Sequence, residues 1–474
     1  MKVLQGLRPA AALEYFEALC AIPHGSRDTK RISDYCAAFA QEHGLRYVQD
    51  AANNIVIYKD ATAGYEDHPT VILQGHLDMV CEKDADCDID FANDGLRLAH
   101  DGEYIFAEGT TLGGDDGIAV AYALAVLAAD DIAHPPLEAV FTVDEEIGML
   151  GAAALEMSLL HGRVLLNCDS EDEGILTVSC AGGATSKLTL PVERAACSGG
   201  KALRVGVRKL TGGHSGVEIN KGRANANKVL AQLLDGLSLH LVSVDGGSKD
   251  NAIPRESTAV VVTCDPDLET RLAARWETVR AALPAGETAA ELFVEPAQPA
   301  LAPMTEASTK AVLGLLSALP NGVQAMSHDI EGLVQTSLNL GILKTEAAEV
   351  TMTFSVRSSV NTEKAALIET LKRTGASFGA VYSESGAYPA WEYRKDSRLR
   401  TVMVDTFEQL YGKKPVVEAI HAGLECGIFS DALEGLDAVS FGPQMHDIHT
   451  SRERLDIAST ARTWDYLLAI LKAL

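Results

Sequence analysis

The sequence lacks several features that would assign it to whole classes of protein. No apolar run in its 474 residues approaches the roughly 18 residues that a membrane-spanning helix needs. Glu14 and Glu17 interrupt the amino-terminal region where a secretory peptide would be continuously apolar, so we expect no export signal. The nine cysteines form no CxxC pairs, which argues against a structural zinc site. They predict reduced, mostly buried thiols in a cytoplasmic protein.

Positive charge is also scarce. The chain has 40 Lys and Arg residues against 66 Asp and Glu residues, which gives a formal net charge of −26. Such a field repels nucleic acid and anionic membranes, so neither is expected as a partner, and it attracts cations. Apolar residues at 47% and charged residues at 22% are close to globular averages, so wholesale disorder is excluded.

The first 185 residues predict an α/β domain. Short apolar runs that end in polar or acidic residues indicate strands at 53–60, 70–76, 137–145 and 162–169. An Ala-rich run at residues 117–127, between two of them, predicts a buried helix. Strands that alternate with helices are typical of a mostly parallel, doubly wound sheet, which binds ligands at the carboxyl ends of its strands.

The middle of the chain has a different character. From about Gly183 the strands alternate between apolar and polar residues, lack acidic ends and are joined by amphipathic helices; the first pattern returns near residue 396. We therefore predict a catalytic domain made of residues 1–185 and 396–474, interrupted by an inserted α+β domain at residues 186–395. No G-x-G-x-x-G motif follows an early strand, so a dinucleotide-binding enzyme is set aside.

Five clusters of acidic residues and histidines stand at the predicted ends of strands or helices. They are residues 74–78, 109–117, 144–148, 167–173 and 442–453. Each has an ordinary explanation when taken alone: a helix cap, a solvated acidic turn or a structural histidine. Together, carboxylates gathered at one edge of a sheet would repel one another unless divalent cations neutralised them.

The chemistry of these side chains favours a catalytic metal site. Imidazole and carboxylate ligands without paired thiolates suit zinc, cobalt or manganese. Two ions about 3.5–4 Å apart can share a bridging carboxylate, and they account for more of these acids than one ion would. One carboxylate is then left to act as general base. The residues alone do not decide between Glu145 and Glu146 as that base, or between His446 and His449 as a ligand.

The sequence also resembles a known family. The ordered segments QGHLDMV, GTTLGGDDGIA, TVDEEIGMLGA, NCDSEDEG and HTSRE are similar to those of the aminoacylase/glutamate-carboxypeptidase clan of di-zinc exopeptidases. Within that clan, the chain resembles the bacterial aminoacyl-histidine dipeptidases, which hydrolyse Xaa-His dipeptides such as carnosine. The resemblance covers essentially the whole chain, and its most specific segments include AIPHGS, TGGHSGVEI, DNAIPRE and HAGLECGIF.

The resemblance implies a role for each residue of the metal site. His76 would bind one metal ion, with Asp78 as its orienting partner. Asp115 would bridge two ions and precede a cis peptide bond to Asp116. Glu145 would act as the general base. The remaining ligands would be Glu146, Asp169 and His449. Two Zn²⁺ ions per chain are expected, for which Co²⁺ or Mn²⁺ can substitute.

The resemblance also makes the inserted domain a lid and dimerisation domain. His214 would donate a hydrogen bond to the developing oxyanion, Asn251 would lie near the same substrate atoms, and Arg357 would bind the substrate carboxylate. Glu425 is the candidate for binding a free amino group. Ordinary turn residues are the alternative for His214 and Asn251, and a salt bridge for Arg357. For Glu425 the alternatives are a buried ion pair or an acid at a helix start.

The predicted function is that of a cytoplasmic, homodimeric metallo-dipeptidase that hydrolyses small peptides of the Xaa-His type, including β-alanyl-histidine. A tripeptidase or an N-acyl-amino-acid amidohydrolase of the same clan is the alternative, because the metal site does not distinguish the side chains of these substrates. A non-catalytic metal-binding or peptide-binding protein would be expected to lack the base or a ligand, whereas Glu145 and all five ligand positions are present.

Overall fold

A computed structural model describes residues 2–196 and 199–474. The chain divides into two compact units. The first consists of Met1–Cys180, Trp391–Ala419 and Leu424–Leu474, and the second of Ala181–Ala390 and Ile420–Gly423. Cys197, one of the nine cysteines expected to be reduced, lies outside the described residues.

The limits of these units differ from the expected domain boundaries for identifiable reasons. The first unit ends at Cys180 instead of residue 185, because strand Gly182–Pro191 pairs with strand Glu349–Ser358 of the second unit. The chain returns to the first unit at Trp391 instead of residue 396, where its main chain forms hydrogen bonds with Cys180. The short segment Ile420–Gly423, which we expected in the first unit, belongs to the second because Ala181 donates to its carbonyl groups.

The first unit is an α/β unit built on a mixed sheet. Its helices are Ala10–Cys20, Lys30–Glu42, Gly114–Ala128, Leu150–Ala154, Arg398–Tyr411, Cys426–Ala432 and Ile457–Ala473. Across the described chain, eight strands form its main sheet, in the order Arg46–Gln49, Ile55–Lys59, Leu137–Thr142, Val71–His76, Val164–Asn167, Asp437–Ser440, Ile175–Cys180 and Val416–Ile420. A smaller sheet contains Met445–His446, Arg454–Asp456, Tyr104–Ala107 and Leu98–His100.

The four central strands of the main sheet are parallel neighbours, which confirms the predicted α/β fold class. The strands that flank them, Ile55–Lys59 and Ile175–Cys180, are antiparallel to their neighbours. All six residues of strand Val71–His76 are buried, as expected for a parallel strand that is covered on both faces. Helix Gly114–Ala128 packs against this strand, and its first residues depart from helical dihedral angles at Asp115.

The second unit has the predicted α+β composition, with an antiparallel sheet. Its helices are Ala226–Leu234, Leu268–Ala282, Glu306–Ala318 and Asn361–Ser377. Its strands follow the order Glu291–Pro296, Lys201–Arg208, Ser257–Thr263, His240–Gly246, Val334–Thr345, Glu349–Ser358, Gly182–Pro191 and Val381–Tyr388, with Gly322–Met326 paired to Val334–Thr345. The long strand Val334–Thr345 was not recognised in the sequence because polar residues interrupt its apolar pattern; one of them, Asn339, is buried and donates to two carbonyl groups of a neighbouring loop.

The cysteines and the helices bear on two of the sequence-based expectations. The eight cysteines in the described part of the chain are free thiols; five of them are buried, whereas Cys81 and Cys264 are exposed. In the same part of the chain, no helix has both the length and the apolar character that crossing a membrane requires.

The close approach of helix Gly114–Ala128 to the strand that carries His76 can be tested at Gly75. A Cβ atom added there would lie 2.6 Å from Asp116 Oδ2 and 2.8 Å from Ala119 Cβ. Gly75→Ala should therefore lower the free energy of unfolding by about 1–3 kcal/mol through overpacking. Gly286→Ala is the matched control, because no described atom outside its own chain neighbours lies within 4 Å of its added Cβ. Equal unfolding midpoints for the two variants in calorimetry would contradict this packing.

Candidate metal centre

A buried histidine and two carboxylates meet where the parallel strands end. His76 is the last residue of strand Val71–His76, and its side chain is 1% exposed. Its Nε2 lies 3.1 Å from Asp115 Oδ1 and 3.9 Å from Asp169 Oδ1. Asp169 follows strand Val164–Asn167, the parallel neighbour of the His76 strand. Parallel strands carry the residues that follow them to the same edge of a sheet, and this explains how the two clusters come together.

A second histidine lies next to the other carboxylate oxygen of Asp115. His449 Nε2 lies 3.1 Å from Asp115 Oδ2 and 3.0 Å from Glu146 Oε1. The two oxygens of Asp115 therefore face two different imidazoles. This divides the side chains into one set with His76 and Asp169 and another with His449 and Glu146, with Asp115 common to both.

The donor atoms are of the right kind and spacing for divalent cations. Two ligand atoms at 2.0–2.1 Å from one tetrahedral ion lie about 3.3 Å apart. The separation between Asp115 and each imidazole is 3.1 Å, and imidazole with carboxylate suits zinc, cobalt and manganese. The ligand atoms of His76, Asp115 and Glu146 all lie within 4.8 Å of one another, as do those of His76, Asp116 and Asp169. The sequence analysis gave Asp116 no ligand role; it follows Asp115 through a cis peptide bond, as the resemblance implied.

Burial and opposite charges shift the pKa values of this cluster in different directions. Burial lowers the pKa of His76, but the carboxylates of Asp115, Asp78 and Asp169 together outweigh burial and hold that pKa well above its ordinary value. The neighbouring carboxylates of Asp115 and Glu146 raise the pKa of His449 to about 10. Burial, followed by nearby carboxylates, raises the pKa of Asp169 well above its usual range. The negative charge of the acids is therefore unfavourable here unless protons, protonated imidazoles or bound cations balance it.

Asp78 contacts the His76 ring through both its main chain and its carboxylate. His76 Nδ1 lies 2.9 Å from the main-chain carbonyl oxygen of Asp78 and 3.6 Å from its carboxylate. When the ring is neutral and donates from Nδ1 to this carbonyl, its lone pair is on Nε2, where a cation can bind. The carboxylate also accepts hydrogen bonds from the Ser26 hydroxyl at 2.8 Å and from the main-chain N–H of Glu145 at 3.0 Å. It thus fixes the turn that carries the two candidate bases.

The sequence left two choices open, between Glu145 and Glu146 as base and between His446 and His449 as ligand. The members of each pair have different surroundings in the structure. Glu146 belongs to the set of side chains around His449, whereas Glu145 is its neighbour in sequence and lies outside that set. Burial raises the pKa of Glu145 to about 8. His446 is exposed, and its ring packs edge-on against Tyr104 with 5.8 Å between ring centroids. The structure therefore brings His449, and not His446, to the carboxylates.

Comparison with known proteins places the chain in a family. A sequence profile of peptidase family M20/M25/M40 matches residues 72–473. The chain belongs to this family. It is 36% identical over 480 aligned residues to the cytosol non-specific dipeptidase of Escherichia coli (strain K12), covering 100% of this chain and 99% of that relative. It also resembles the crystal structure of the aminoacylhistidine dipeptidase from Vibrio alginolyticus, with a TM-score of 0.94, 38% identity and coverage of 99% and 98% of the two chains.

These comparisons confirm the predicted resemblance and the prediction of a metallo-dipeptidase, a hydrolase that acts on peptide bonds. A tripeptidase from Staphylococcus aureus subsp. aureus Mu50 is similar at a TM-score of 0.56 and 16% identity, with 98% of each chain covered. That similarity shows the fold alone.

In this M20 peptidase, Glu453 has a structural role that the sequence analysis missed. Its carboxylate is 3% exposed and accepts main-chain N–H groups from Leu112 at 2.7 Å, Gly113 at 3.1 Å and Gly114 at 2.8 Å. These residues lead directly into Asp115, and Glu453 itself stands four residues after His449. The only sequence signal was its position in the HTSRE segment. Glu453 thus joins the loop that carries Asp115 to the loop that carries His449.

Two other acids of the same sequence clusters form contacts outside the centre. Glu173 forms a bidentate ion pair with Arg462, with both N–O distances at 2.6 Å. Asp144 accepts a hydrogen bond from the main-chain N–H of Arg27 at 2.5 Å. For these two acids the ordinary explanation, a turn residue or a local ion pair, therefore holds.

Glu425 lies in the first unit of the peptidase and is fully buried. Its Oε2 accepts hydrogen bonds from Gln74 Nε2 at 2.5 Å and from the Thr142 hydroxyl at 2.6 Å. Burial raises the pKa of this carboxyl to about 7. Both donors lie on strands next to the metal centre, so Glu425 is part of the same region of the unit.

Two predicted substrate contacts lie side by side in the second unit. Strand Gly213–His214 pairs with Ala252–Ile253, and the Asn251 carbonyl accepts from the main chain directly after His214 at 2.8 Å. His214 Nδ1 accepts hydrogen bonds from two main-chain N–H groups at 3.2 and 3.3 Å, so a neutral ring carries its proton on Nε2. Burial, followed by the charge of Arg357, lowers the pKa of His214. The ring is therefore suited to donate a hydrogen bond from Nε2.

Arg357 lies in the second unit on strand Glu349–Ser358. Its Nη1 donates to the Tyr388 hydroxyl at 3.2 Å, while its buried Nε has no hydrogen-bond acceptor among the described residues. The Tyr388 ring occupies space that a Cβ atom at Gly183 or Gly423 would enter, with contacts of 2.6 and 2.7 Å. Within residues 2–196 and 199–474 Arg357 forms no salt bridge, so the salt-bridge alternative finds no support and a donor remains for an anionic group.

The hydrogen bonds between Glu453 and the loop before Asp115 should affect cation binding. Glu453→Ala removes the acceptor for three main-chain N–H groups next to Asp115, and we expect cation affinity to fall about 10–100-fold. Glu173→Ala is the control, because this acid pairs with Arg462 and not with a ligand loop. Titration of the metal-free proteins with Co²⁺, followed by absorption, measures both affinities, and circular dichroism checks the fold. Equal affinities for the two variants would contradict the role of Glu453.

Proposed function

We propose that this M20 peptidase is a dipeptidase that hydrolyses Xaa-His dipeptides, including β-alanyl-histidine, with two bound zinc ions. The observation that carries the proposal is the position of Asp115, whose two oxygens each face a different histidine at 3.1 Å. The substrate class is supported by the name of the Vibrio alginolyticus relative, an aminoacylhistidine dipeptidase. The name of the Escherichia coli relative, a non-specific dipeptidase, supports some breadth.

Five side chains would hold the two cations. Asp115 would bridge them, because each of its oxygens belongs to a different ligand set. The other ligands would be His76 and Asp169 at one site and His449 and Glu146 at the other. When bound, the cations would polarise the carbonyl of the scissile peptide bond and make the attacking water more acidic.

Glu145 is the proposed general base. It is next in sequence to a ligand, its main-chain N–H is fixed by Asp78, and it does not belong to either ligand set. Its carboxylate would take a proton from the water as the water attacks the carbonyl carbon. The same carboxyl would then pass that proton to the leaving nitrogen as the C–N bond breaks.

The second unit supplies the proposed substrate contacts. His214 would donate from Nε2 to the carbonyl oxygen as negative charge develops there, and Asn251 would contribute beside it. Arg357 would bind the carboxylate of the substrate, since its Nε is buried without an acceptor in the described chain. A homodimer formed through this unit and a cytoplasmic location complete the proposal. The cytoplasmic location is supported by the cytosolic name of the Escherichia coli relative.

The separate roles proposed for Glu145 as general base and Glu146 as metal ligand can be tested. Glu145→Gln should lower kcat about 10²–10⁴-fold while two cations stay bound, because the base is lost and the ligands remain. Glu146→Gln should instead lose the cation on the His449 side. Initial rates measured together with the metal content of each purified variant separate the two effects. Loss of metal from Glu145→Gln, or full turnover without its carboxylate, would refute its role.

The substrate class and the metal requirement can be measured on the wild-type enzyme. We expect kcat/KM to be highest for β-alanyl-histidine and other Xaa-His dipeptides, lower for Gly-Leu, and lowest for a tripeptide and an N-acetyl amino acid. Chelation with EDTA should abolish these activities, and added zinc, cobalt or manganese should restore them. A preference for the tripeptide or the N-acetyl amino acid would favour the alternative function.

A further inference from the structure

Glu425 combines complete burial with one oxygen that has no partner. Its Oε2 accepts two hydrogen bonds, from Gln74 and Thr142. Its Oε1 is equally buried and has no hydrogen-bond donor anywhere in the described part of the chain. A buried carboxylate oxygen without a donor is costly for the fold. Such an oxygen points to a ligand that supplies the missing donor.

The two ordinary explanations for Glu425 do not account for it. In residues 2–196 and 199–474 no Lys, Arg or His forms a salt bridge with this side chain. Glu425 precedes helix Cys426–Ala432, but its side chain makes no capping hydrogen bond. It also belongs to neither of the groups of side chains whose spacing would suit a metal ion within the described residues. The carboxylate is therefore neither paired, nor a cap, nor part of the candidate metal centre.

The donors that hold Glu425 place it beside the catalytic strands. Gln74 is two residues before His76 on the same strand, so their side chains share a face. Thr142 lies directly opposite His76 in the sheet register and ends the strand that leads to Glu145.

The orientation of Gln74 is itself fixed from the other side. Its side-chain oxygen accepts a hydrogen bond from Asn167 Nδ2 at 2.6 Å. The amide N–H₂ of Gln74 is thereby directed to Glu425, in a chain of donors that runs from Asn167 through Gln74 to the carboxylate. The position of Oε1 is thus determined by the strands that also carry the metal ligands.

We propose that Glu425 Oε1 binds the free amino-terminal ammonium group of the substrate, so that the enzyme selects unblocked peptides over N-acyl amino acids. This inference rests on the proposed dipeptidase function. An ammonium group brings a positive charge and three N–H donors, which suits a buried carboxylate oxygen that lacks one. It is also the one cationic group that every unblocked dipeptide has, whatever its side chains.

A matched pair of substrates isolates the amino group. Propionyl-histidine is alanyl-histidine with a hydrogen atom in place of the ammonium group. Both compounds contain the same scissile amide. The wild-type holoenzyme should prefer alanyl-histidine by about 10–100-fold in kcat/KM, as expected for a charge-assisted hydrogen bond. Equal kcat/KM values for the two substrates would overturn the proposal without the need for any variant.

The isosteric variant Glu425→Gln tests the residue. It should lower kcat/KM for alanyl-histidine about 10–100-fold, leave propionyl-histidine unchanged and retain two cations. Glu418→Gln, which removes a half-buried acid from strand Val416–Ile420, is the control and should keep the wild-type preference. An unaltered preference in Glu425→Gln would refute the proposal. A wild-type enzyme that hydrolyses neither compound nor any other peptide would instead refute the dipeptidase function.

Discussion

Mutual repulsion among buried carboxylates is the constraint on which the first unit depends. Strands Val71–His76 and Val164–Asn167 end side by side, and the start of a helix adds Asp115 to the carboxylate of Asp169. Like charges gathered in a buried cluster repel one another strongly, because little water screens them. Such carboxylates are stable only when a proton or a neighbouring positive charge neutralises them. Imidazoles lie within reach of both acids, and in the proposed function two cations supply most of the positive charge.

The fold could be predicted where burial gives a simple pattern. A strand covered on both faces is an apolar run with a polar end, so the strand now seen at Val71–His76 and the helix at Gly114–Ala128 were identified to within a few residues. Strand Val334–Thr345 was missed, because its buried Asn339 donates to main-chain carbonyl groups of Asp250 and Ala252, which are remote from it in sequence. Segment Ile420–Gly423 is too short for its composition to indicate which sheet it joins.

At the candidate site, the sequence indicated residue types better than contacts. The histidine and carboxylate residues at the ends of predicted strands indicated that His76 and Asp169 would lie close together, because neighbouring parallel strands have their carboxyl ends at the same edge of the sheet. The hydrogen bonds of Asp78 and Glu453 could not be predicted, because their partners lie in loops whose approach is set by the packing of the whole unit. For the same reason, the unpartnered oxygen of Glu425 is visible only in the folded chain.

Hydrogen-bond partners, more than burial, distinguish the roles of the buried acids. Asp78 and Glu453 accept main-chain N–H groups, so their carboxylates hold chain segments in place. Each carboxylate oxygen of Asp115 faces a histidine nitrogen, and a cation could bind between that oxygen and that nitrogen. Glu425 has one oxygen bound by side-chain donors and the other without a donor in the described residues. A carboxylate that accepts main-chain N–H groups holds loops in place, whereas one that faces imidazoles or has an unpartnered oxygen is suited to a cationic ligand. Three arrangements of partners around the same chemical group therefore account for the loop geometry, the candidate metal site and the proposed selectivity.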